Sequence, residues 1–172
     1  MKFTKRIFLI LIACAITTNI CAIQFRHLSI KDGLSQLSVL SIYQDKLGRM
    51  WFGTEEGINV FDGNNLTAIK TLRNIPPQNL EVRWICGDEK GNIYFQLGTS
   101  IVCIDFATQS NTVLVKKGVT TLCHHSGKIY YASRGSVYIY NIAKQSTHCM
   151  GQLTKDNIKV LHIDSRGTLW FG

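Results

Sequence analysis

Proline is almost missing from these 172 residues, with Pro76 and Pro77 the only two. No proline-rich or other low-complexity tract marks a flexible linker. Charge is also scarce, at 17% of residues against 45% hydrophobic, which excludes a chain too polar to bury a core. None of the six cysteines forms a C-x-x-C pair, so neither a zinc site nor a thioredoxin-like redox pair is indicated. Beyond residue 22 no basic run is longer than Lys116-Lys117. That excludes the gathered positive stripe of a nucleic-acid binder, and no nucleic-acid partner is expected. No i, i+3, i+4, i+7 apolar stripe is sustained past residue 22, and glycine interrupts each candidate window, which excludes a helical solenoid.

What is present begins with a targeting segment. Lys2, Lys5 and Arg6 precede the apolar run Ile7 to Ile16, and Thr17-Thr18-Asn19 leads to the small residue Ala22. This is the layout of a secretory signal peptide spanning residues 1–22, too short for a comfortable membrane span. Export is therefore expected, with an uncleaved anchor or a lipobox at Leu11-Ile12-Ala13-Cys14 as the alternatives. Cleavage would lower the net charge from +8 to +5, since sixteen basic residues then face eleven acidic ones. Four cysteines would stay: Cys86, Cys103, Cys123 and Cys149.

The dominant signal in residues 23–172 is an internal repeat. Val39, Ile42, Asp45, Gly48, Trp51-Phe52-Gly53, Gly57 and Asp62 set the pattern. It returns as Val82, Ile85, Asp88, Gly91, Tyr94-Phe95 and Asp105, then as Val119, Leu122, Gly127, Tyr130-Tyr131 and Asn141. A fourth copy starts at Ile158, Leu161, Asp164, Gly167 and Trp170-Phe171-Gly172. The aromatic pairs are offset by 43, 36 and 40 residues. Each copy reads as short, β-branched and aromatic strands separated by Asp- and Gly-bearing turns. Four antiparallel strands in about forty residues is the period of a propeller blade.

The expected fold is all-β: an incomplete β-propeller of about three and a half four-stranded blades. The repeats cover about residues 38–70, 81–115, 118–150 and 157–172, and residues 23–29 are expected as a stray outer strand. The recurring aromatics are expected to pack between blades rather than to stack sugars.

The pattern Val39, Ile42, Asp45, Gly48, Met50-Trp51-Phe52-Gly53-Thr54, Gly57-Ile58 and Phe61-Asp62-Gly63 resembles the two-component regulator propeller repeat. Asp32-Gly33-Leu34-Ser35-Gln36 resembles the lead-in to that family's first blade. Gln96 and Ala132 depart from the family's glycine after the aromatic pair. The resemblance implies the periplasmic sensor region of a Bacteroidetes-type hybrid two-component system. Its implied ligand is a glycan or another small extracellular molecule, and its implied partners are further blades, downstream kinase domains and a second copy of the full-length protein. Any histidine kinase activity would lie in those further domains.

No catalytic, cofactor or metal site is expected within the repeats. Asp45, Asp88 and Asp164 recur at one turn position, which fits turn-making better than paired acid and base. His124-His125 is placed in the turn of the third copy, and His162 aligns with Tyr43, Cys86 and Cys123. Adjacent histidines at a strand end point apart, against a shared metal. The cysteines are expected as small buried hydrophobes, with Cys86 and Cys123 too far apart for an unstrained disulfide. A propeller enzyme of lyase or dehydrogenase type and a protein-interaction scaffold are the rival functions.

Overall fold

A computed structural model describes residues 25–69, 72, 80–105, 107–108 and 110–172. The expected signal peptide lies outside the described residues. Three four-stranded antiparallel sheets follow one another: β1 (Val39–Gln44), β2 (Met50–Thr54), β3 (Gly57–Phe61) and β4 (Leu66–Ile69); β5 (Val82–Gly87), β6 (Ile93–Leu97), β7 (Ser100–Asp105) and β8 (Ser110–Val115); β9 (Thr121–His125), β10 (Lys128–Ser133), β11 (Ser136–Asn141) and β12 (Ser146–Gln152). A two-stranded sheet, β13 (Leu161–Ile163) and β14 (Leu169–Phe171), comes fourth. Each sheet is a meander in chain order. Their first strands, β1, β5, β9 and β13, lie side by side. Sheets joined at successive innermost strands are the blades of an open propeller.

The alternation of strands gives every blade two distinct faces. Trp51 of β2 lies on the trailing face, opposite Tyr43 and Val60, and packs in one cluster with Val82, Ile93 and Phe95 of the second blade. Tyr94 does the same toward the third blade, in a cluster with Leu122, Ile129 and Tyr131. Phe95 and Tyr131 therefore belong to leading faces, each turned to the blade before. The core is a series of layers between blades, as expected from the repeat. Trp51, Tyr94 and Phe95 are at most 1% exposed. Tyr130 and Phe52 are partly buried, whereas Trp170 and Phe171 of the fourth blade stand half-exposed.

The turn aspartates do more than shape turns. Asp45 Oδ1 accepts from the backbone N–H groups of Leu47 and Arg49 at 2.9 and 3.0 Å, while Oδ2 accepts from the indole Nε1 of Trp51 at 2.8 Å. Asp88 repeats this with Lys90 and Asn92 and with the Tyr94 hydroxyl, also at 2.8 Å. Asp164 repeats it with Arg166, Thr168 and, at 3.2 Å, Trp170. One carboxylate thus closes the hairpin and supplies the acceptor a buried aromatic N–H or O–H needs. Burial alone would raise the Asp45 carboxyl, but the Trp51 and Arg49 hydrogen bonds outweigh it and hold it below the usual carboxylate range.

Two sequence expectations need correction. His124 and His125 lie on β9, not in a turn. The β9–β10 hairpin closes through Ser126 and Gly127 alone, with φ of 49° and 72°. That two-residue left-handed turn fits the shorter spacing of the third copy, where Gly127 follows Val119 by one residue less than Gly48 follows Val39. The outer strand expected at 23–29 is absent over its described part. Phe25 to Ser29 carry no strand, and Arg26 lies over the Phe61 ring, 5.0 Å from its centre. Each complete sheet already has its own fourth strand, which leaves no third strand free to pair with this segment. The lead-in after it caps part of the first blade's leading face. Leu34 is buried, and Ser35 hydrogen-bonds to Thr54 and to Asn59, which is fully buried.

Candidate functional site

At the end of the blades where the inner strands start, a groove of about 660 Å³ runs across all four. That is within the size range of small-molecule sites. The first blade contributes Leu40, the second Glu81, Arg83, Trp84 and Gln96, and the strand approaches of the third and fourth Thr120, Asn157, Lys159 and Val160. Irregular pairing positions the key side chains. In β5 the register shifts between Val82, opposite Leu97, and Ile85, opposite Phe95, so Arg83 and Trp84 share Gln96 as their partner. Such a bulge re-aims side chains that a regular ladder would send to opposite faces. Leu40 sits at a matching shift in β1.

The groove floor is tied together by one repeated contact. Ser41 Oγ donates to the Val82 carbonyl at 3.3 Å, Gln96 Nε2 to the Val119 carbonyl at 3.0 Å, and Thr120 Oγ1 to the Ile158 carbonyl at 2.6 Å. Val82, Val119 and Ile158 are equivalent lead-in residues, each at most 1% exposed. Every blade thereby clasps the backbone of the next. Gln96 is the residue that replaces the expected glycine, and its amide supplies the donor that Ser41 supplies in the first blade. Its Oε1 is buried without a hydrogen-bond partner.

Trp84 is partly buried: it packs against the apolar layer between the second and third blades and also lines the groove, together with the exposed Arg83, Asn157 and Lys159. Arg83 pairs with Glu81 at 2.6 Å, in an ion pair more than half exposed on the arginine side. An aromatic face with amides and cations beside it can stack an apolar ring face and hydrogen-bond its hydroxyls. Trp84 was not reached by sequence reasoning because it lies off the repeating aromatic positions; its signal is that it breaks the pattern.

The other residues singled out from the sequence are dispersed. Trp51, Tyr94, Phe95 and Tyr131 fill inter-blade layers, Tyr130 is partly buried on β10, and Gly53 and Gly57 are buried at one end of the β2–β3 hairpin. Gly172 is exposed. His124 stacks on Tyr94 at 6.2 Å, and burial lowers its pKa. Among the described residues no group of His, Cys, Asp and Glu could hold a metal ion.

Cys86, Cys103, Cys123 and Cys149 are free thiols. Burial pushes Cys123 up to about 11 and Cys103 up to about 12, and also raises Cys86 well above its usual value. Native protein at pH 8 should therefore show one fast-reacting thiol among these four, the exposed Cys149. The other three should label only after denaturation. Mapping by mass spectrometry after a short iodoacetamide pulse checks this, and early labelling of Cys86 would contradict it.

Comparison with known proteins agrees with this geometry. Residues 33–56 match the family model described as two component regulator propeller. Those residues are similar to that propeller repeat. Over 58 residues it is 43% identical to histidine kinase P4 of Formosa agariphila, a match covering 34% of this chain and 4% of that protein. The fold is similar to the extracellular domain assigned to a hybrid two component system of B. thetaiotaomicron, with a TM-score of 0.70 at 14% identity. That match covers 86% of this chain and 21% of the other. A second such domain from B. thetaiotaomicron gives 0.52 at 21% identity over 86% of this chain and 29% of its own. The chain thus spans less than a third of these extracellular domains.

Proposed function

We propose that residues 23–172 form the N-terminal part of the periplasmic sensing propeller of a hybrid two-component sensor, and that its signal is a glycan. The signal-peptide-like layout of residues 1–22 supports export, and kinase chemistry would belong to other domains of a longer chain. The observation that carries the ligand reading is the groove, which Arg83, Trp84 and Gln96 line together because the β5 bulge sets both Arg83 and Trp84 opposite Gln96. Carbohydrate recognition uses this chemistry: an aromatic platform for a sugar's apolar face, and amide and cationic donors for its hydroxyls. Loops at one end of a rigid scaffold are also where binding residues collect.

Calorimetric titration of the complete periplasmic region against an oligosaccharide panel tests the reading. Saturable binding to at least one glycan is expected. A Trp84→Ala variant should bind it at least about tenfold more weakly, the loss of about 1.4 kcal/mol of stacking. Saturable binding only to non-carbohydrate ligands, or glycan binding unchanged by Trp84→Ala, would contradict it.

A further inference from the structure

We propose that the sugar taken by the groove is acidic, with a carboxylate or sulfate group held by Lys159 and Arg83. This rests on the glycan reading of the groove and adds the ligand's charge to it. The observation behind it is a position that recurs in every blade and differs in every blade.

Each lead-in residue is followed by a side chain that lines the groove: Leu40 after Val39, Arg83 after Val82, Thr120 after Val119 and Lys159 after Ile158. The lead-ins are held to valine or isoleucine, because Val82, Val119 and Ile158 are buried where successive blades meet. The groove position is held to no such type. Its residues run from apolar to hydroxyl to cation, as expected where a rigid scaffold presents side chains to a ligand rather than to a core.

Two of these four side chains are cations, and they face little opposing charge. Among the described residues, Glu81 is the one carboxylate that lines the groove. It is engaged by Arg83 Nη2 at 2.6 Å. A guanidinium presents its N–H donors as a planar fork, and the Arg83 side chain is 58% exposed, so donors outside that ion pair stay open to the groove. Lys159 is exposed, and among the described residues its ammonium forms no ion pair. The lining therefore carries an excess of positive charge. An ammonium without a counter-charge, beside a guanidinium with donors to spare, favours an anion over an uncharged ligand of the same shape. Trp84 and Asn157 offer ring and amide contacts suited to any sugar; the cations would select among sugars.

Calorimetric titration of the complete periplasmic region tests this with paired probes. Galacturonate, glucuronate and mannuronate oligomers are set beside their methyl esters, and sulfated galactose oligomers beside their desulfated forms. At least one acidic oligomer should bind, and its neutral counterpart should bind at least about tenfold more weakly, the scale of one charge-assisted hydrogen bond. The arm that binds identifies the anion, and affinity should fall as salt rises. Lys159→Gln should weaken the acidic oligomer about tenfold, and Lys159→Arg should restore most of that loss. Lys159 is exposed, so circular dichroism of both variants should match wild type. Binding of neutral glycans as tight as that of acidic ones, or acidic binding indifferent to Lys159→Gln, would overturn the proposal and leave the glycan reading standing. Binding to no saccharide at all would remove both.

Discussion

Asp45→Ala should destabilise the chain by about 4 kcal/mol, read as the change in urea unfolding free energy. Asp45 is 6% exposed, and its carboxylate is shared by two backbone N–H groups, the Trp51 indole and Arg49, whose Nη2 stands 2.6 Å away. Removing it takes the acceptor from a buried indole and the carboxylate from a largely buried guanidinium. Breaking a buried pair by deleting one partner typically costs about 3–5 kcal/mol. Asp45→Asn should cost less, about 2 kcal/mol, because the amide oxygen can still serve the backbone donors. The folded carboxyl titrates below its unfolded value, so its stabilisation is present above about pH 4 and is lost as pH falls through the folded pKa. Wild type and Asp45→Asn should therefore converge in stability under acid. A constant gap down to the folded pKa would contradict the assignment of that carboxylate as ionised.

Gly53→Ala should cost about 3 kcal/mol, although the change adds one methyl group. The methyl would meet the Ser41 hydroxyl and the Val82 carbonyl, and Val82 Cγ1 at 2.7 Å. Neither backbone nor a fully buried valine can yield cheaply, and overpacking of this kind costs about 1–3 kcal/mol or more. The loss should fall on the contact between the first two blades, so the Ser41 to Val82 clasp opens with it. Ala132→Gly, at the same position in the third blade, should cost only about 1 kcal/mol. There β9 pairs with β10 without a register shift, and an alanine is already accommodated. Equal effects from the two substitutions would show that the close approach at Gly53 is not specific to the bulged blades.

The repeat made the blades legible before any coordinates. Val39, Val82, Val119 and Ile158 mark the lead-ins, and Asp45, Asp88 and Asp164 mark turns that the structure confirms. The second use of those aspartates was not legible. The aromatic partner lies six residues on, and only the antiparallel hairpin brings Trp51 or Tyr94 back to the carboxylate. Gln96 looked like a loss of the family glycine; its clasp on Val119, 23 residues away, depends on how neighbouring blades meet. The groove was hidden for the same reason. Arg83 and Trp84 are adjacent in sequence and would point apart on a regular strand, so nothing in one strand's pattern announces a bulge. Residues 25–29 had a strand-like composition but no partner to pair with, and pairing decides a strand.

The central claim is that each blade is buried by the blade after it, and nuclear Overhauser contacts across the first such interface test it most directly. One Gly53 α-proton points toward the Val82 side chain. A cross-peak between Gly53 Hα and a Val82 methyl is predicted, together with one between the Trp51 indole and the second blade's apolar side chains. Contacts from Gly53 confined to its own sheet, with Val82 methyls free of any first-blade neighbour, would contradict it.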